Sequence, residues 1–409
     1  MWITRLTLVH FRNYAQEDLR PSPGANVFLG SNAQGKSNLI EAITFLSTTR
    51  SFRTSTDATL LNRDYLDEPL AHARLSVEVE GGPHRHIEIV ITQEPGSGPN
   101  CPGPTRKHLR LDSAPHRLLD VLGALPTVLF TPEDVNLVGG APAGRRRYLD
   151  ILLCQASRDY CRSLGQYNRA LTQRNHLLRH VRRRRSDPEQ LYYWDRLLAE
   201  HGVVISRHRA QAVAAMSAPA AATHAELAAG EQLEIAYCPG APWPAGWEAA
   251  EASSDQLQQI LEDNRQTDLE RGLTTAGPHR DDIAITVGGT EAAAYASRGQ
   301  MRTAALTLRL VEGGFLEQAL GRRPILLFDD VMSELDGQRR RALESVMMDS
   351  SQSFITGLDS GPFGRAFLRT ARVWSVSGGS ARSLSAPGED VEPGLPADVD
   401  TAPGSGSPS

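Results

Sequence analysis

The 409-residue sequence predicts an α/β fold in which one sheet-containing lobe is interrupted by an inserted α-helical lobe. Three observations carry the prediction. The first 48 residues read strand, turn, strand, glycine-rich loop, helix. A second buried-strand pattern, "ILLFDD", returns at residues 325–330. Between them, from about residue 142 to 230, apolar side chains recur every three or four positions, the helical period.

Taken in order, "ITRLTLVHF" alternates apolar and polar residues at the period of a strand. "ANVFLG" is a short apolar run that stops at a glycine. "SNLIEAITFL" places Leu39, Ile40, Ile43 and Leu46 on one helical face. Residues 71–93 read as a β-hairpin with Gly81-Gly82-Pro83 at its turn. "EPGSGPNCPGPT" is a loop. The next helix carries Tyr148, Leu149, Leu152 and Leu153, and the pattern continues through Tyr160, Leu164, Tyr167 and Leu171. Another long helix follows, with Ser186 or Asp187 before Pro188 as its start. Strand signals return at "DDIAITV" and "RPILLFDDV". Beyond about residue 376 Gly, Pro, Ser and Ala dominate, the composition of a disordered tail. The expected segments are 1–115 and 271–375 for the two parts of the sheet lobe, 116–270 for the helical lobe, and 376–409 for a disordered acidic tail.

Length allows a large core and two or three domains. No apolar run reaches the roughly 18–20 residues of a membrane span. The N-terminus lacks the basic-then-apolar order of a secretory signal. Cys101, Cys154, Cys161 and Cys238 form no C-x-x-C pair, so reduced, buried thiols are expected. A cytoplasmic protein with no membrane partner fits these features. Net charge is −5, yet residues 145–185 hold twelve arginines against Asp150 and Asp159.

Gly30-Ser31-Asn32-Ala33-Gln34-Gly35-Lys36-Ser37 fits the P-loop pattern G-x-x-x-x-G-K-[ST]. The glycines let backbone N–H groups face an anion, and the following helix adds its positive N-terminal dipole. Of 43 basic residues only Lys36 and Lys107 are lysine. A compact ammonium reaches β- and γ-phosphates where the planar guanidinium fork has another shape. ATP with Mg²⁺ is the expected ligand, and Ser37 offers a hydroxyl to the metal. Asp329 and Asp330 end an apolar strand, the geometry that delivers carboxylates to such a site. Asp329 is the candidate Mg²⁺ ligand; Asp330, with Lys36, is the candidate catalytic residue, positioning or activating water. Ser297 and Gly299 open an Ala/Leu-rich helix in "SRGQMRTAALTLRL", a second anion site or an ordinary helix cap.

Together "FRNY", "GSNAQGKSN", "TPEDVNLV", "TAGPHRDD", "SRGQMRTAALTLRL" and "LLFDDVMSELD" resemble, in order and over about residues 1–375, the RecF family of ABC-type ATPases with SMC-like heads. The resemblance implies an ABC-type ATPase head that closes as an ATP-dependent homodimer. Ser297 and Gly299 would then contact the γ-phosphate of the partner's ATP, with residues 333–336 at the dimer interface. It implies binding to single- and double-stranded DNA without sequence preference, slow DNA-stimulated ATP hydrolysis, and action with RecR, RecO and RecA in gap repair and the SOS response. Some positions depart from the wider pattern. Phe328 replaces an aliphatic residue, and Asp330 stands where the wider group has glutamate, which implies slow turnover. Thr356 and Gly357 lie where a switch segment belongs. Glu133 or Asp134 would be the Mg²⁺-sensing residue of a Q-loop. Arg50 and Arg53 are candidates for a phosphate contact or for plain surface positions.

No zinc finger, RRM signature or helix-turn-helix is present, so DNA contact is expected through phosphates, with Arg145–Arg147 and the arginines at 182–185 beside a groove. Other P-loop classes fit less well. A GTPase base reader, Asn-Lys-x-Asp, is missing, and a transporter subunit would carry Leu-Ser-Gly-Gly-Gln. The alternatives that stay open are an ABC-type ATPase subunit, or a nucleotide-bound scaffold, that does not act on DNA.

Overall fold

The computed structural model describes residues 1–66, 70–94, 103–183, 187–243 and 253–389. The chain opens with β1 (Trp2–Phe11), β2 (Tyr14–Leu19), β3 (Gly24–Leu29) and α1 (Lys36–Thr48). Then come β4 (His72–Glu80), β5 (His86–Gln93), β6 (Thr105–Leu111), β7 (Ala114–His116), α2 (Leu118–Val121) and β8 (Thr127–Phe130). The middle is mostly helical: α3 (Val135–Gly139), α4 (Pro142–Ala156), α5 (Arg158–Arg182) and α6 (Leu191–Leu227), then β9 (Leu233–Cys238), α7 (Ser254–Asp263) and α8 (Arg265–Arg271). It continues through β10 (Asp282–Val287), β11 (Thr290–Glu291), α9 (Ala292–Tyr295) and α10 (Arg298–Leu320). The chain closes with β12 (Ile325–Phe328), α11 (Gly337–Asp349), β13 (Gln352–Gly357), α12 (Arg365–Thr370), β14 (Arg372–Ser377) and β15 (Ser380–Ser385).

Two compact units result. The first joins Met1–Pro132 to the chain from Arg323 on, and the second is Glu133–Arg322. Residues 116–132 thus fall with the sheets, because β8 pairs in parallel with β12. Residues 271–322 fall with the helical unit, because β10 pairs with β9 and α10 packs on α3, α4 and α6. These boundaries differ from the expected segments at both places.

The first unit holds two six-stranded sheets, β2-β1-β4-β5-β6-β7 and β15-β14-β3-β13-β12-β8. In the second of these, β14, β3, β13, β12 and β8 run parallel. This order sets the C-terminal ends of β3, β13 and β12 side by side. These strands are buried on both faces, as in a sheet covered on both sides. Phe28 stacks between Phe354 and Trp374, and Phe328 stacks on Phe130 of β8 at 4.3 Å. The aromatic at 328 is therefore a cross-strand packing residue. Leu39, Ile40, Ile43 and Leu46 of α1 are all buried, as the periodicity predicts. Buried Gln352 ties the sheets together, accepting from Ile3 N at 2.7 Å and donating to the carbonyls of Ile3 and Ser22 at 2.9 Å.

The tail expectation needs correction. Residues 376–385 are not disordered: they finish β14 and form β15, an antiparallel hairpin. Its turn is Gly378-Gly379 with φ of 55° and 77°, the left-handed pair that a two-residue hairpin demands. Composition masked that signal. Residues 390–409 lie outside the described residues.

The second unit is built on buried ion pairs. Arg174 is fully buried and bonds Asp195 and Asp268, each at 2.6 Å, and Thr274 at 2.9 Å. Arg209 bonds Asp150 at 2.6 Å, Asp281 at 2.8 Å and the Pro278 carbonyl at 2.7 Å. Arg145 holds Asp282 with both arms of its fork, at 2.6 and 2.9 Å. The segment "GPHRDD" thus serves as internal scaffolding. His279 is buried between the Tyr167 hydroxyl at 2.7 Å and the Thr274 carbonyl at 3.0 Å. The cysteines are less buried than expected: Cys238 is exposed, Cys154 and Cys161 are partly so, and Cys101 lies outside the described residues. Among the described residues no helix is long and apolar enough to cross a membrane.

Two predictions follow from this packing. Arg174→Ala leaves buried Asp268 without its cation and Asp195 with Arg265 alone, at 2.9 Å, a change that costs about 3–5 kcal/mol. Urea unfolding should show it, and a loss under 1 kcal/mol would contradict the network. The second concerns pH. Burial lowers the His279 imidazole to about 4, so the unfolded chain takes the proton first as pH falls. The stability that neutral His279 contributes is full above its unfolded value near 6.5 and drains away towards pH 4. Between pH 7 and 4.5 the parent chain should lose about 2 kcal/mol more than His279→Gln. Parallel stability curves for the two would refute that role.

Candidate nucleotide site

The Gly-rich loop of residues 30–35 leaves the end of β3 and enters α1. Ala33 (φ 64°) and Gly35 (φ 119°) are left-handed, which turns the loop back over the helix start. Gly30 has no room for a side chain, since a Cβ there would meet the Val376 carbonyl oxygen at 2.3 Å. Lys36 folds onto its own loop, donating to the carbonyls of Gly30 and Ser31, the latter at 2.8 Å. Burial pulls its ammonium below the ordinary lysine value, against the pull of Asp330 and Asp329. A charged group in that position favours an incoming anion.

Ser37 sits at the second helical residue and donates to Asp329 Oδ1 at 2.7 Å. Thr356, at the end of β13, donates to the same oxygen at 2.9 Å. The Thr356 hydroxyl in turn accepts from the Asp330 amide at 2.9 Å. The P-loop serine, the strand-end aspartates and the switch-position threonine therefore converge on one point. Burial raises the Asp329 carboxyl, opposed by the hydrogen bonds from Ser37 and Thr356 and by the positive charge of Arg53. Asp330 holds φ at 53°, unusual for a residue with a side chain. Ser333 fixes it by donating to its carbonyl at 3.0 Å and its carboxylate at 3.3 Å.

Sequence reasoning missed the bracing around the loop. Asn13, in the β1–β2 turn, donates to the Gln34 carbonyl at 2.9 Å and accepts from Asn38 at 2.8 Å. Buried Tyr14 donates to the Gly35 carbonyl at 3.1 Å. From the β14–β15 turn, Gly378 N donates to Gln34 Oε1 at 2.7 Å and Gly379 N to the Gln34 carbonyl at 3.1 Å. The signal was there in "FRNY" and "SGGS", but neither has a fixed spacing to the loop. Fully buried Glu41 of α1 was also missed. It takes both arms of Arg12 at 2.7 and 2.9 Å and the hydroxyl of Ser51. Arg53 lies 3.7 Å from Glu41 and donates to Asn38 at 2.7 Å, whereas Arg50 is exposed.

In the second unit, Ser297 caps α10 by accepting from Gln300 N at 3.2 Å, and Gln300 returns the bond at 2.8 Å. Ser297, Arg298 and Gly299 are exposed, and a Cβ on Gly299 would meet only the Ser297 hydroxyl, at 3.9 Å. Asp134 is held by Arg309 of α10 at 2.7 Å, while Glu133 is exposed. The expected basic clusters fare unevenly. Arg145 is buried against Asp282, half-buried Arg146 donates to the Asp281 carbonyl at 2.8 Å, and Arg147 is exposed, so the expected 145–147 cluster is split between interior and surface. Arg182 and Arg183 are exposed, and Arg184 and Arg185 lie outside the described residues.

A strand-to-helix P-loop with carboxylates at the end of a second strand of the same parallel sheet, in a chain that also holds a largely helical unit, defines an ABC-type ATPase head. The sequence matches the family model described as RecF/RecN/SMC N terminal domain over residues 2–380. It is 39% identical to the DNA replication and repair protein RecF of Chloroflexus aggregans, across 93% of this chain and 99% of that one. The corresponding protein of Symbiobacterium thermophilum is 40% identical, across 88% and 92%. A solved structure described as the recombination mediator protein RecF-ATP in the RecFOR pathway aligns at a TM-score of 0.80 and 31% identity, across 94% of this chain and 98% of that one. The Smc head of Pyrococcus furiosus, at 17% identity and a TM-score of 0.51, shares the fold. This chain belongs to the RecF family of DNA replication and repair proteins.

The bracing yields a test. Asn13→Ala removes two hydrogen bonds from the loop, and Gly379→Ala would place a Cβ 2.2 Å from the Asn13 carbonyl oxygen. Each should weaken ATP binding about tenfold, about 1.4 kcal/mol, while leaving most of the fold intact. Calorimetric titration measures this, and parent-like affinity in both variants would show that the loop holds its shape unaided.

Proposed function

We propose that this chain is an ATP-dependent DNA-binding protein of replication and recombinational repair. The observation that carries the reading is the meeting of Ser37, Asp329 and Thr356 at the mouth of the P-loop. Residues 30–37 bind the phosphates of ATP, with Lys36 released from its loop carbonyls to pair with them. The hydroxyl of Ser37 and the carboxylate of Asp329 are hard oxygen donors 2.7 Å apart, a set that suits Mg²⁺, which keeps water and phosphate as its other ligands. When bound, that ion supplies charge neutralisation for phosphoryl transfer. Asp330, fixed by Ser333 and Thr356, orients the attacking water. Glu133 is the better candidate for the Q-loop position, because the Asp134 carboxylate is taken by Arg309.

Ser297 and Gly299, exposed at the start of a 23-residue helix, are the second anion site. In this reading they meet the γ-phosphate of ATP held by a second copy, so ATP favours a homodimer and hydrolysis releases it. DNA, single- or double-stranded, is held through phosphates. RecR, with RecO and RecA in the same pathway, is the expected partner set, by analogy with the RecFOR relatives. A cytoplasmic location fits this work.

Lys36→Ala should abolish ATP binding. Ser297→Arg should bind ATP normally yet stay monomeric when ATP is added. Light scattering with and without ATP decides between the readings. A normal ATP-driven dimer from Ser297→Arg removes the two-copy model, and ATP binding by Lys36→Ala removes the site assignment.

A further inference from the structure

On the outer surface of α5 one line of side chains stands apart. Arg162, Arg169, His176 and Arg183 recur every seven residues, and all four are exposed. Seven residues are nearly two turns, so these positions share a helix face over roughly 32 Å. Between Asp159 and Asp187 the sequence holds no carboxylate at all. Solvated helices usually alternate charge and lace it with i,i+4 pairs; this face does not. Asp159 lies 3.1 Å from Arg162, but both are well exposed and the pair is weak. Arg182, bonded to the Glu270 carbonyl at 3.2 Å, is turned off the line.

Two further observations point to an occupant. Gly165 is exposed on this same face, one turn from Arg162 and Arg169, in the interior of a 25-residue helix. A Cβ there would touch nothing within 4 Å, so no internal packing explains a residue that weakens the helix. A glycine on an open face allows another backbone to approach closely. At the far end of the hairpin, Tyr192 and Tyr193 of α6 are 55% and 56% exposed. The Arg174–Asp195 pair fixes the antiparallel register of α5 and α6, which sets Tyr192 level with about Leu177, between His176 and Arg183 along the helix axis. Exposed aromatics at the same level of the hairpin as a cationic line supply the two parts that single-strand binding surfaces combine.

We propose that this face of α5, with Tyr192 and Tyr193, binds single-stranded DNA. The arginines track the phosphates, Gly165 lets the strand lie close, and the tyrosines stack on unpaired bases. The inference rests on the DNA-binding reading above and assigns it a surface on the second unit.

The test uses the full chain and fluorescence anisotropy with three labelled probes of equal length: oligo(dT), the same strand without bases, and a blunt duplex. Arg162→Ala, Arg169→Ala and Arg183→Ala combined should weaken oligo(dT) binding at least tenfold and reduce the salt slope by about two to three. Tyr192→Ala with Tyr193→Ala should weaken oligo(dT) at least fivefold and leave the baseless strand and the duplex unchanged. Gly165→Leu should raise the Tm while weakening oligo(dT) binding, a combination a structural glycine would not give. Unchanged affinity and salt slope in the arginine variant overturns the surface. Equal losses on all three probes from the tyrosine variant, or none, overturns the single-strand assignment. Failure of the parent chain to bind any probe would sink the DNA-binding reading itself. DNA binding by the parent that ignores these variants would sink only this proposal.

Discussion

A loop that faces a polyanion with its own N–H groups cannot also use those groups to hold itself open. That constraint organises the first unit. The bonds that shape residues 30–37 come from outside: Asn13 and Tyr14 from the β1–β2 turn, Gly378 and Gly379 from the β14–β15 turn. Both turns reach the loop because β1–β2 belongs to one sheet and β14–β15 flanks β3 in the other. Buried Gln352 sets the distance between those sheets by bonding Ile3 and Ser22. The strand order then does the rest. With β13 beside β3 and β12 next in the sheet, Thr356 and Asp329 arrive beside Ser37. At the strand end the left-handed conformation falls on Asp330, where the φ of 53° is held by bonds on both sides of the residue.

The arginine bias of the chain has a physical consequence in the second unit. A guanidinium presents five donors in a fixed plane and can satisfy several acceptors at once. Arg174 spans two aspartates and a threonine; Arg209 spans Asp150, Asp281 and a carbonyl. Each fork replaces what apolar packing would otherwise do and fixes the register of α5 against α6 and of β10 against its helices. The same shape that suits arginine to these junctions unsuits it to the P-loop, where one compact donor reaches two carbonyls. That is why lysine persists at position 36.

Legibility in the sequence followed the range of the physics. The P-loop, the β4–β5 hairpin and the strand ending in Asp329-Asp330 were readable, because each is a local pattern with fixed spacing. So were the long helices, from their periodicity. Arg145 and Arg146 were misread: a run of arginines looks like surface when the partners of two of them, Asp281 and Asp282, lie more than 130 residues away. The C-terminal hairpin was lost for a different reason. Its Gly-Gly turn is a strong hairpin signal, but serine, alanine and glycine around it match the composition of disorder. Asn13 was visible in a motif and silent about its role, since nothing in spacing links it to Gln34.

The division between units also changes what α10 is. Placed by sequence with the sheet lobe, it belongs instead to the helical unit, and one long rigid element there carries two features. Its exposed N-terminus presents Ser297 and Gly299. Three turns on, Arg309 holds Asp134, next to where the chain passes from the first unit into the second. Arg309 is buried with Glu312 at 2.8 Å and lies over the Tyr148 ring at 5.2 Å. Tyr148 in turn donates to the Leu308 carbonyl at 3.2 Å. Burial lifts the Glu312 carboxyl to about 7, against the pull of Arg309, so the cluster tolerates little rearrangement of its charges. Because a 23-residue helix bends little between these points, the entering chain and the capping Ser297 keep a fixed relation within this unit. Any displacement imposed on residue 134 is therefore carried to Ser297 by the helix itself, with no flexible segment between them to absorb it.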